Sequence, residues 1–281
     1  YRASGELISA EPFVPVNWAN HIDLETGRPV EAPKARYLHN ETAIVYPAAP
    51  GAHNWQPMSY SPLTGLVYIP TQEMAWAYRD DSDFTFRTMG LNLGIDGLTA
   101  SMPEDPFIQA EVLKTLKGYT QAWDPVTQKR IWRIALAIPW NGGILTTAGG
   151  LLFEGTGDGN FQAHSAADGT QLWTHHVQTA VLAAPVSYQI DGTQYVAVIV
   201  GSGGAFGIES GRPAKVAGLP NVSRILAYRL NGEGKLPPAP RFKPIPAPPA
   251  MTADADTVAN GKRLYHVYCA RCHGDAGISG N

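Results

Sequence analysis

The stretch AWDPVTQKRIW at residues 122–132 recurs as AHSAADGTQLW at residues 163–173, with starts 41 residues apart. Both copies run from Ala through a turn and a polar pair to Trp. A period near 40 residues is that of propeller blades or another stacked array. Weaker copies of the turn stand at 2–7 (RASGEL), at 23–28 (DLETGR) and, degenerate, at 227–236. The fuller copies set an Asp, Ser or Thr ahead of Gly, the residues that supply an Asx-type hydrogen bond and a positive φ in a hairpin. Gln128 occupies the glycine position of the 122–132 copy. The tryptophans that end the two clear copies, Trp132 and Trp173, are expected to lie flat on a neighbouring sheet with the indole N–H on a backbone carbonyl.

Around the repeats lie short β-rich runs bounded by Gly or Pro: Gly65–Pro70, Gly150–Gly155 and Gln194–Val200. They read as buried strands. Composition agrees: 29 Gly, 23 Pro, 7 Trp and 12 Tyr with only 16 % charged residues favour many strands joined by tight turns, an all-β chain. Residues 71–119 break the blade pattern with Asp80, Asp81, Asp83, a Gly/Leu run and a short helix predicted from Pro106 to Leu116. The segment reads as a surface insertion between strands. From 237 to 252 proline dominates and predicts an extended, semi-rigid spacer. The resulting division is 1–236 for the β body, 237–252 for the linker and 253–281 for a separate C-terminal segment.

That last segment carries the clearest chemistry. Cys269, Cys272 and His273 form C-x-x-C-H, using both cysteines of the chain. Two thiols one helical turn apart each add to a vinyl group of one porphyrin, and the adjacent imidazole becomes the proximal iron ligand. His273 is thus the candidate metal ligand. A zinc site would need two more donors and would have to recruit His266 and His273 on one cramped helix. A redox dithiol would call for a βαβ pattern, which is absent. A chance pair is the remaining alternative. Residues 258–268 read as the amphipathic helix before the motif, presenting Leu264, Val267 and Tyr268. Met58, Met74, Met89, Met102 and Met251 all precede the motif. The cytochrome domain is therefore expected to continue beyond Asn281 to reach its distal ligand.

A net charge of −3 with no basic run argues against nucleic acid or an anionic membrane as partner. No apolar stretch approaches the roughly 18 residues of a membrane span. Covalent haem attachment places the protein outside the bacterial cytoplasm, in the periplasm or its equivalent. Asp23, Asp124, Asp158 and Asp168 lie in turn signals, where bonding to local backbone is the ordinary role. His175 and His176 are adjacent, so on a strand they point to opposite faces.

The runs GELISAEPFVPVNWA, HNWQPMSYSPLTGLVYIP, NGGILTTAGGLLFEGTGDGNFQAHSAADGTQLW and QYVAVIVGSGGAFG, then the proline linker and CARCHG, resemble the quinohaemoprotein alcohol dehydrogenases in order and over nearly the whole chain. The resemblance implies the C-terminal part of an eight-bladed β-propeller that holds pyrroloquinoline quinone (PQQ) and Ca²⁺, followed by a linker and the first helix of a cytochrome c domain. It implies an oxidoreductase that converts an alcohol to an aldehyde and passes electrons to haem c, then to a copper protein, a cytochrome or a quinone system. By this resemblance Asn54 and Trp55 contact the quinone, and Ala205 in the Gly201–Ala205 run lies near it, although Ser202 stands where the family's pattern has Trp. The family's paired cysteines, Ca²⁺ ligands, catalytic Asp and quinone-binding Lys and Arg match no residue of this chain, so no catalytic residue is assigned and the chain alone is expected to be inactive. The alternatives are an electron-transfer module whose β body only binds a partner, and a PQQ dehydrogenase for another alcohol or in a membrane-associated complex.

Overall fold

A computed structural model describes residues 1–33, 35–37, 41–86, 88, 92–100, 105–202, 219–239, 247 and 249–269. The chain forms β-meanders that stack as successive sheets, which is the arrangement of a propeller. The first complete blade joins β4 (Ser59–Ser61), β5 (Leu66–Glu73), β7 (Lys117–Asp124) and β8 (Lys129–Leu136) in that order, all antiparallel. The second joins β9 (Asn141–Thr146), β10 (Leu151–Thr156), β11 (Asn160–Ser165) and β12 (Gln171–His176). A third sheet holds β13 (Val186–Ile190), β14 (Thr193–Val200) and β15 (Arg224–Arg229). Before the first blade, β1 (Ala19–Ile22) and β2 (Pro29–Glu31) form a hairpin.

The repeat is the outer hairpin of each complete blade. Ala122 faces Trp132 across β7 and β8, and Ala163 faces Trp173 across β11 and β12. A bulge follows the alanine in both copies, between Ala122 and Trp123 and between Ala163 and His164. Gln128, at the glycine position, takes φ +53°, against +76° for Gly169 in the second copy. The Asp124 carboxylate compensates by accepting from the Val126 and Thr127 N–H groups at 2.8 and 3.2 Å.

Two seams hold the blades together. Between the first and second, Leu66, Tyr68 and Ala122 meet Ile144, Leu152 and Ala166. The Trp132 indole N–H donates to the Ala167 carbonyl at 3.0 Å, and its ring lies against Gly169, where a Cβ would come within 2.9 Å of it. Between the second and third, Phe161, Val177, Val181, Val196, Val198 and Val200 form an apolar layer. Trp173 departs from its expected pose: it is 39 % exposed, meets Phe161 and Tyr228 edge-on, and its N–H has no carbonyl partner among the described residues.

The insertion is more ordered than a loop. β3 (Ala43–Val45) pairs with β6 (Trp76–Tyr78), and α1 (Gly97–Ala100) and α2 (Pro106–Thr115) follow. Asp105 caps α2, accepting from the Phe107 and Ile108 N–H groups, with Pro106 at its first helical position. The helix α3 (Ala255–Tyr268) leads to Cys269 and is capped by Asp254 through the Thr257 N–H at 2.8 Å. No helix among the described residues is long and apolar enough to cross a membrane.

Candidate cofactor site

Three inner-strand entries converge: residues 54–57 before β4, 140–143 opening β9, and 181–183 before β13. Their backbones approach so closely that side chains are excluded. A Cβ on Gly143 would fall 2.3 Å from Pro57 Cδ, one on Gly142 2.5 Å from the Ala183 carbonyl oxygen, and one on Gly155 2.1 Å from Val181 Cγ1. Glycine is required there by contact. The Ile144 N–H donates to the Pro57 carbonyl at 2.9 Å and the Val181 N–H to that of Thr156 at 3.0 Å, which locks the three entries together.

On this floor stands Trp55, 49 % exposed, with its ring edge-on to the 2 %-exposed Trp140 at 4.8 Å between centroids and 78° between planes. A half-exposed ring backed by a buried one offers a flat surface on which a planar ligand can lie. Asn54 beside it is exposed, and its Nδ2 donates to the Pro50 carbonyl at 2.9 Å. One amide hydrogen and the Oδ1 are left for other partners. The loop is pinned from beneath, because Gln72 Nε2 donates to the Pro50 and Gly51 carbonyls and His53 Nδ1 lies 3.0 Å from the Pro70 oxygen.

Of the other sequence-derived site residues, Cys269 is a free, half-buried thiol at the end of α3, its N–H donating to the Tyr265 carbonyl at 2.8 Å. Cys272, His273 and Ala205 lie outside the described residues. Ser202 is tied by its N–H to Asn221 Oδ1 at 2.8 Å. The turn aspartates bond to local groups. Backbone N–H groups hold Asp23 and Asp168 below the usual carboxylate range, and the Thr127 hydroxyl first, then backbone N–H groups, do so for Asp124. Asp158 accepts from the Thr156 hydroxyl and from Asn160 Nδ2. His175 lies against Tyr228, with Nδ1 2.9 Å from the phenolic oxygen, while His176 is exposed. No group of three metal-ligating side chains occurs among the described residues.

Sequence reading passed over a buried polar cluster that includes Asn141, the chain neighbour of Trp140. Glu154 is fully buried and His164 is 2 % exposed, with Glu154 Oε1 3.3 Å from His164 Nε2. Thr120 from the first blade donates its hydroxyl to Glu154 Oε2, and Asn141 Nδ2 lies 3.4 Å from both Thr120 Oγ1 and Glu154 Oε2. The signal was present: Glu154 has the parity of the core residue Leu152 on β10, so a carboxylate had to face the seam.

The family model described as "Glucose/ethanol/alcohol dehydrogenase, beta-propeller domain" matches residues 109–196. The chain is 42 % identical to quinohemoprotein alcohol dehydrogenase ADH IIB of Pseudomonas putida over 99 % of its own length and 39 % of the relative's. It is 39 % identical to the dehydrogenase subunit of alcohol dehydrogenase (quinone) of Acetobacter aceti, over 98 % of this chain and 37 % of that one. The solved structure of quinohemoprotein alcohol dehydrogenase ADHIIG of Pseudomonas putida superposes with a TM-score of 0.92 at 41 % identity, covering 99 % of this chain and 41 % of that one. The chain thus spans about two fifths of the length of the relatives it matches. With two complete blades, a third sheet, a haem-attachment sequence and these likenesses, it belongs to the quinohaemoprotein alcohol dehydrogenase family.

Proposed function

We propose that the protein containing this stretch oxidises alcohols to aldehydes with PQQ and passes the electrons to covalently attached haem c, in the periplasm. The observation that carries the reading is the half-exposed Trp55 on a rigid glycine floor, in a chain that also bears C-x-x-C-H at residues 269–273. An indole face of this kind matches a planar, fused-ring cofactor in shape and chemistry, and the free amide hydrogen of Asn54 suits a quinone oxygen or carboxylate. When bound, PQQ with Ca²⁺ accepts the hydride equivalent of the alcohol, and haem c takes the electrons one at a time.

The three-part division follows: residues 1–236 as propeller, 237–252 as tether, and 253–281 as the opening of the cytochrome domain. Cys269 and Cys272 would hold the porphyrin, with His273 as axial ligand. Ala205 is assigned to the quinone's surroundings by family correspondence. The electrons then leave to a copper protein, a cytochrome or a quinone system. A stiff tether keeps the haem at high local concentration beside its donor.

The test is made on the intact protein matured in the periplasm. A pyridine haemochrome spectrum should show thioether-linked haem, lost in C269S/C272S, and W55A should weaken PQQ binding at least tenfold. Absence of covalent haem, or PQQ binding by W55A equal to that of the parent, would overturn the corresponding half of the reading.

A further inference from the structure

The buried cluster that includes Asn141 contains an ionisable pair that no step of the proposed chemistry uses. Its geometry gives it a different task. A carboxylate accepts hydrogen bonds and donates none. With Thr120 and Glu154 gathered on one side, Asn141 turns its NH₂ toward them, 3.4 Å from Thr120 Oγ1 and from Glu154 Oε2. Its Oδ1 is thereby left for the Gly143 N–H, which donates to it at 3.0 Å. The other carboxylate oxygen, Glu154 Oε1, lies 3.3 Å from His164 Nε2 but makes no hydrogen bond among the described residues; that nitrogen's hydrogen-bond partner is Gln162 Oε1 at 2.9 Å. An Asn amide that could rotate would exchange acceptor for donor at Gly143; the acidic neighbour forbids the rotation.

Gly143 is the residue on which Pro57 rests, Ile144 binds the Pro57 carbonyl, and Trp140, next to Asn141, backs Trp55. We propose that Glu154 is a positioning residue: by fixing the orientation of the Asn141 amide it sets the 140–143 turn and so the pose of the Trp55 wall. Its relevance to PQQ rests on the reading of Trp55 as a quinone contact. The effect on the turn does not.

The test compares E154A, E154Q and N141A in the intact protein by three readouts: hydrogen exchange at the Gly143 and Ile144 amides, the part of the near-UV circular dichroism that W55F removes, and PQQ titration of the quinone-free protein. E154A and N141A should speed exchange at these amides at least tenfold, diminish the Trp55 signal, and weaken PQQ binding about tenfold. E154Q, whose amide oxygen can replace the carboxylate as acceptor, should stay within threefold of the parent. Parental exchange and Trp55 signal in E154A overturn the proposal whatever the quinone affinity. Should E154A fail to fold, N141A decides: an unchanged Trp55 signal there also overturns it. If W55A binds PQQ like the parent, the quinone reading falls, while the exchange and dichroism results still judge the turn.

Discussion

The two seams of this propeller segment are built on opposite plans. The seam between the second and third sheets is apolar and aromatic, with Phe161 stacked near Phe153 and Tyr228 and flanked by valines of β14. The seam between the first and second blades mixes a smaller apolar cluster with specific hydrogen bonds: Trp132 to Ala167, Tyr68 Oη to the Ala166 carbonyl at 2.7 Å, Ser59 to Thr146 at 2.6 Å, and the Glu154 cluster. Hydrophobic burial is insensitive to direction, whereas hydrogen bonds fix register. The polar seam also holds Asn141, next in the chain to the Trp140 ring that backs Trp55.

The comparison can be broken most forcefully at the centre of each seam. Phe161→Ala should destabilise the intact protein by about 3–5 kcal/mol through lost transfer energy and a cavity. Glu154→Ala should cost about 2 kcal/mol for a different reason, the loss of the acceptor for the buried Thr120 hydroxyl and the Asn141 amide. Guanidinium unfolding midpoints measure both. Replacing Glu154 by Gln should recover most of the loss, while no aliphatic residue smaller than Phe should do so at position 161.

A pH experiment sharpens the contrast. Burial pushes the Tyr228 phenol up to about 12. The unfolded phenol ionises near 10, so the stability it contributes is fully present below about pH 10 and is lost as pH rises toward 12. The expected loss is roughly 1–2 kcal/mol by pH 12, allowing for the phenol's partial exposure, read from denaturation midpoints at pH 9, 11 and 12, and it should vanish in Tyr228→Phe. Burial, then the neighbouring His176, depresses His175. Its contribution is present above about pH 6.5 and falls as the pH drops below that value, a smaller effect at the opposite end of the scale.

Tyr68→Phe comes next. It leaves the Ala166 carbonyl and the Thr64 hydroxyl short of a partner inside the polar seam, at a cost of about 1–2 kcal/mol in the same assay. The smallest effect is stabilising. Gln128 sits at φ +53°, and Gln128→Gly should relieve the left-handed backbone for a gain of about 0.5 kcal/mol, provided that the Asp124 turn bonds persist.

The outer hairpins were legible because their chemistry is local. The Asp124 and Asp168 turns, the left-handed position and the Ala–Trp cross-strand pair all fall within eleven residues, so one alignment reveals them. The helix from Pro106 was legible for the same reason, having its Asp105 cap and N-terminal proline side by side. The β3–β6 pairing was not, since Ala43–Val45 and Trp76–Tyr78 are joined across a blade hairpin. Nor was the unequal docking of Trp132 and Trp173: two residues equivalent in the repeat differ because Gly169 lies under one and aromatic rings flank the other. Asn54 and Trp55 are candidates through resemblance alone, and the backing of Trp55 by Trp140 from another blade has no signature within their own segment. The Glu154 cluster draws on four strands of two blades, and only the parity of Glu154 hinted at it.

The departure of the tether has a mechanical consequence. Gln178, held at φ +69°, receives a hydrogen bond from Arg224 on its Oε1 and donates through Nε2 to the Pro237 carbonyl at 3.2 Å, while Leu236 packs into the apolar seam. On the proposed reading of residues 237–252 as a tether, its anchored end is therefore position 237 rather than the end of β15. Were the 17 residues from 238 to 254 fully extended as their proline content predicts, they would reach about 50 Å from that anchor. Each residue released from the clamp would add one residue to that reach and lower the local concentration of whatever the far end carries.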